Sequence, residues 1–182
     1  MTTLAADALR SYQPEDSFAQ YPVIAGDIIY EGAAVGLQIS SGFARPLVGP
    51  TDVDRFVGFS TKSANNSLGA NGEVKVQVRR RGVVRLTVTG GDGVDKVGLP
   101  VFATDDNAFT VTLGVGRTYI GRILEWISGT ENFVHFDTTD HHHGAAIADP
   151  SGGATVDAEA RSAINAIIDR LESAGIVRVA GA

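Results

Sequence analysis

The chain has no cysteine. It can form no disulfide framework and offers no thiolate for catalysis or metal binding. A disulfide-free chain suits reducing and oxidising surroundings alike, so this absence leaves the compartment open. No apolar run is long enough to span a bilayer. The opening residues, MTTLAADALR, lack the basic and apolar regions of a signal peptide. Together these read as a soluble protein made in a cytoplasm, with no membrane partner. Charged residues are sparse at 20%, and the net charge of -6 argues against nucleic acid as a partner. Catalytic signatures are missing too. There is no G-x-S-x-G, no H-E-x-x-H and no phosphate-binding P-loop. With no nucleophile–base pair in view, a small hydrolase is disfavoured and the chain reads as a non-enzyme without a cofactor.

Two short motifs imitate sites. Gly90-Gly91-Asp92-Gly93 has the composition of a phosphate loop, but it opens no helical pattern and reads as a β-turn. Asp105-Asp106-Asn107 lacks the spacing and bidentate Glu of a calcium loop and reads as a hairpin turn. Asp140-His141-His142-His143 reads as a polar linker, since adjacent histidines cannot easily reach one ion. The other reading is an ion held by one His per chain on a three-fold axis. No metal site is assigned.

What the chain does have is β patterning. A length of 182 residues gives room for one ordinary domain with appendages, and 22 scattered glycines suit a turn-rich β fold. Strands are expected at Ile28–Tyr30, Ala34–Ile39, Ala44–Leu47, Phe56–Ser60, Glu73–Thr89, Pro100–Ala103, Ala108–Leu113, Tyr119–Ile127 and Phe133–Asp137. Turn residues separate them, including Ser41-Gly42, Asn71-Gly72 and Ser128-Gly129. Many short strands without helical patterns between them predict a small β-barrel or sandwich over residues 23–138. The stretch Glu73–Thr89 is the most regular. Val74, Val76, Val78, Val84, Leu86 and Val88 take the even positions, and Lys75, Gln77, Arg79, Arg81 and Arg85 the odd ones. Because the parity survives Gly82, this predicts one long strand bent or bulged there rather than a two-residue hairpin. Arg79, Arg80, Arg81 and Arg85 form the basic cluster. Without interleaved aromatics and in an acidic chain, it reads as a solvated or partner-facing strand face suited to an acidic protein.

The two ends differ from the middle. Residues 1–22 form an arm with little periodicity, in which Tyr12, Phe18, Tyr21 and Pro22 stand on a polar background. Such aromatics either dock onto something else or lie on the chain's own domain. Residues 139–154 read as a flexible linker, followed by a helix and short tail over 155–182. Thr155 is a good N-cap, Asp157 and Glu159 favour the first turn, and Gly175 is a natural stop. Ala160, Ile164, Ile167, Leu171 and Ala174 alternate by four and three, a helical seam. A helix this short is unstable alone and must bury its seam against its own domain or against copies of itself. Ile at such positions shifts preference away from dimers, so a homotrimer is expected.

Two regions carry a family resemblance. Val74-Lys75-Val76 with Gly82-Val83-Val84, Gly98-Leu99-Pro100-Val101-Phe102-Ala103 and Tyr119-Ile120-Gly121-Arg122-Ile123 resemble the small β-barrel decoration proteins of tailed bacteriophages. The stretch from Ile147 to Arg161, with Ala163-Ile164-Asn165, is similar to the trimerising segments of phage head-fibre proteins. The resemblance implies a structural virion protein, a cement protein bound as a homotrimer to the outer capsid surface. Its partner would be the major capsid protein, gripped by the N-terminal arms through Tyr12, Phe18, Tyr21 and Pro22. The alternative is a receptor-binding tail-fibre or baseplate component, for which a long fibrous repeat is missing.

Overall fold

The computed structural model describes residues 17–48, 54–138 and 158–173, and the helix side chains from Ala160 to Glu172. The chain is mainly β. In order, the strands are β1 (Phe18–Pro22), β2 (Ile28–Ile29), β3 (Ala34–Leu37), β4 (Ala44–Pro46), β5 (Arg55–Ser60), β6 (Ala64–Asn65), β7 (Lys75–Arg79), β8 (Arg81–Thr89), β9 (Pro100–Ala103), β10 (Phe109–Thr110), β11 (Thr118–Ser128) and β12 (Glu131–Asp137). A 3-10 turn lies at Val94–Lys96, and a helix, α1, spans Ala158–Ser173.

The strands form a five-stranded sheet ordered β1-β7-β5-β3-β4, a closed barrel ordered β10-β8-β12-β11-β9, and a short β2-β6 ribbon. Val23, just past β1, bridges to Ala44 of β4, which draws the two edges of the open sheet together. Each unit has its own core. Val23, Ile29, Val35, Val57, Val76 and Val78 fill the first. Val88, Val101, Ile120, Ile123, Val134 and Phe136 fill the second.

β5 serves both cores. Val35 lies opposite Gly58 and Gly36 opposite Phe56, so Val57 is the extra residue of a β-bulge. The bulge sends Val57 into the first core and turns both Phe56 and Phe59 into the second. Phe59 meets Phe136 edge-on at 5.0 Å, and Phe56 meets Phe59 at 5.4 Å, favourable aromatic geometries. Gly58 makes the crossing possible. Its φ is +128°, and a Cβ there would overlap the Arg79 carbonyl oxygen.

The even–odd stretch behaves as its pattern demands, with one correction. It is two strands rather than one bent strand. The chain passes from sheet to barrel at Arg80, two residues before Gly82, which takes a φ of +149°. Val76 and Val78 are buried before the crossing and Val88 after it, while Lys75, Arg79 and Arg85 stay exposed. Several expected strands shorten, most of all Ala108–Leu113, of which only Phe109–Thr110 pairs.

The root of the arm is a further correction. Phe18, Tyr21 and Pro22, expected outside any strand, are in β1, paired antiparallel with β7 from Phe18 opposite Arg79 to Pro22 opposite Lys75. Tyr21 packs on the first core, and the Arg79 guanidinium lies 5.0 Å above the Phe18 ring. Pairing with an edge outweighs weak strand periodicity, since the two open partners satisfy each other's main chain.

Candidate assembly sites

Two places among the described residues are candidates for joining other molecules. The first is the seam of α1. The helix forms over the expected stretch, and its exposure is lopsided. Ile164 is 45% exposed and Ile167 59%, whereas Ile168 is 5%. Ala160 is also exposed, Leu171 is half-buried, and Ala174 lies outside the described residues. Arg161 and Asn165 are half-covered and Glu172 is buried, so the covered stripe lies beside the seam rather than on it. α1 shares no extensive packing with any described strand. A helix that exposes two adjacent isoleucines has an apolar face without a partner in its own described chain.

The second place is Arg80. Its N–H donates to the Ser17 carbonyl at 2.6 Å, and its carbonyl accepts from the Thr138 N–H at 2.9 Å. Arg80, which lies between β7 and β8, turns both groups toward the segments that pair with those two strands. β12 therefore ends, and β1 begins, along one edge of the β7–β8 strand pair. Both run antiparallel to that pair, so they follow each other like two halves of a single strand interrupted at Arg80. Ser17 and Thr138, the two ends of the described β domain, consequently meet at one residue.

The arginine cluster divides at this point. Arg85 pairs with Glu131 across β8 and β12, and Arg79 stacks on Phe18. Arg80 buries its Nε without an acceptor among the described residues. Tyr12, Asp140 and His141 to His143 lie outside the described residues, as does the linker 139–154.

The imitation sites stay turns. Asp105 Oδ1 accepts the N–H groups of Asn107 and Ala108 at 2.8 and 2.7 Å, a side-chain-stabilised turn. Burial, reinforced by the neighbouring Asp105 charge, pushes the Asp106 carboxyl above its ordinary value. Gly93 precedes only the three-residue 3-10 turn. The described residues contain no group of three or more His, Cys, Asp or Glu placed to hold a metal ion. No helix among them is long and apolar enough to cross a membrane. Burial raises the Tyr119 hydroxyl, with Arg122 stacked 6.0 Å from its ring partly opposing the effect.

Sequence reasoning missed one buried ion pair. Arg45 grips Asp54 through both carboxylate oxygens, Nε to Oδ2 at 2.9 Å and Nη2 to Oδ1 at 3.0 Å. Gly36 leaves the room, since a Cβ there would lie 2.6 Å from Asp54 Cβ. An Arg and an Asp nine residues apart, beside Gly36 on a neighbouring strand, were the available signal. No protein-family model matches the chain, and no curated protein matches it.

Proposed function

We propose that the chain is a structural virion protein that decorates the outer surface of a phage capsid as a homotrimer. The observation that carries this reading is the α1 seam. Ile164 and Ile167 stand 45% and 59% exposed in the single chain, at the spacing of a coiled-coil face. Three copies of that face cover one another. The resemblance of the tail and the β segments to decoration and head-fibre proteins supports the capsid as the surface. Phe18, Tyr21 and Pro22 then act as the root that fixes each arm to its domain. Tyr12 and the residues around it make the outward grip on the major capsid protein. One arm binds weakly because ordering it costs entropy, and three on one trimer bind together at high effective concentration.

The experiment has two arms. Light scattering compares the wild-type chain with Ile164→Asp/Leu171→Asp, which sets unpaired charge into the seam. A trimer that the double variant abolishes is expected, and a monomeric wild type refutes the assembly. Co-sedimentation with undecorated capsids then compares the wild type with a chain lacking residues 1–16. Binding that disappears with the arm is expected. Attachment confined to phage tails in electron micrographs would instead make the chain a tail-fibre or baseplate component.

A further inference from the structure

The α1 seam is too small to hold a trimer by itself. The helix has 16 residues, about 24 Å of length. It offers two heptads, where self-sufficient coiled coils sustain three or four. Among the described seam residues only Ile164, Ile167 and Leu171 are large. Their exposed area is on the order of 300 Å² per chain, against roughly 800 Å² per partner in a stable interface. A trimer of this chain needs a second contact.

The barrel supplies a face with the right make-up. On its outside, Val83 is 47% exposed, Phe133 37% and Leu124 53%. They lie on three adjacent strands. Phe133 is opposite Arg85, which makes Val83 its diagonal neighbour on the same face. On its other side Phe133 is opposite Glu125. The register slips between Ile123 and Glu125, so Leu124 is an extra residue. Its side chain is turned outward beside Phe133, while Ile123 stays in the core. Val97 and Leu99 continue the exposed apolar surface past β11, where the Gly98 N–H donates to Ile123 and the Ile123 N–H to Leu99. Polar side chains are interleaved with them: Arg85 and Glu125 lie opposite Phe133 on its two sides, and His135 lies opposite Val83. Exposed apolar groups mixed with polar ones, Arg85 itself being paired with Glu131, are the usual make-up of a protein interface.

We infer that this outer face of β8, β12 and β11 is a second interface between copies of the chain, acting together with the α1 seam. The inference rests on the trimer reading above. The occupant is a second copy for two reasons. The seam of the described residues leaves most of the required area unsupplied, and the same chain that ends β12, a strand of this face, at Asp137 begins α1 at Ala158. Association of the helices therefore gathers three such faces at high local concentration, where even a modest patch pairs.

The test uses the full-length chain. Sedimentation velocity across a dilution series compares the wild type with Val83→Asp/Leu124→Asp, two outward positions whose change leaves the cores intact. Circular dichroism melts establish that the variant is folded. The midpoint of trimer dissociation is expected to move to at least about tenfold higher protein concentration. An unchanged midpoint in a wild-type trimer overturns this interface alone. A wild type that is monomeric throughout overturns the trimer reading and this inference with it, so the two failures are distinct. A second measurement uses Leu124→Cys, the sole thiol in a chain without cysteine. Maleimide labelling is expected to be slow in the trimer and to speed up on dilution. Labelling equally slow in the dilute monomer means that the chain's own terminal segments cover the face, and the inference falls.

Discussion

Removing the Arg45 side chain should be among the most damaging single changes to the β domain. Asp54 is 1% exposed and Arg45 13%, and the guanidinium fork holds both carboxylate oxygens. Arg45→Ala leaves a buried carboxylate without its counter-charge, which costs about 3–5 kcal/mol in comparable sites. In a chain of this size, roughly 2–4 °C per kcal/mol translates that into a drop on the order of 10 °C in Tm. Most of the loss is the stranded charge rather than the worth of the pair. Adding Asp54→Ala to Arg45→Ala should therefore recover part of the stability. Arg45→Lys keeps the charge but not the fork and should fall between. The assay is urea unfolding at one protein concentration, so that assembly contributes equally to every variant. A loss below about 1 kcal/mol for Arg45→Ala, or a double variant less stable than the single one, would refute the account.

Gly121→Ala should destabilise far more than Gly98→Ala, because a Cβ at Gly121 overlaps the His135 carbonyl while Gly98 has only a positive φ and open space. Thermal melts should show about 1 kcal/mol for Gly98 and clearly more for Gly121, and equal losses would contradict the close approach. A permuted chain that joins Thr138 to Ser17 through a short linker, opened between Gly114 and Val115, should fold with a cooperative β-type melt. Those two ends meet at Arg80. A permuted chain without a cooperative transition would mean that the break at Arg80 is needed for folding.

Much of the β domain could be read from residue order because its strands bury alternate side chains. Val74 to Val88 states that alternation openly, and the expected Pro100–Ala103 strand is found residue for residue. The helix Ala158–Ser173 was equally plain, since four–three spacing is a local signal, while Thr155, read as its N-cap, lies outside the described residues. What the sequence hid is long-range. β1 is a strand because β7 offers it an edge, and nothing between Phe18 and Pro22 announces that partner. The bulges at Val57 and Leu124 change which face a residue takes, and a period-two reading assumes that this never happens. Arg45 and Asp54 meet only after β3, β4 and β5 align. On the candidate sites the helical spacing of Ile164 and Ile167, both exposed, was legible, but the meeting of Ser17 and Thr138 at Arg80 was not. It depends on hydrogen bonds from one residue to two segments more than a hundred positions apart in the chain.

The meeting of β12 and β1 at Arg80 also decides how the protein answers mechanical force. If the arm is held by one body and the tail by another, tension enters and leaves the β domain at a single residue. It crosses the hydrogen bonds from Arg80 to Ser17 and from Thr138 to Arg80, and it bypasses both hydrophobic cores. Those bonds are stressed at adjoining ends, so they yield by peeling, one after another, rather than by shearing a whole strand at once. β1 then strips from β7 starting at Phe18, and β12 from β8 starting at Asp137. The domain is built as a bead hung beside the line of tension, with Arg80 as the knot.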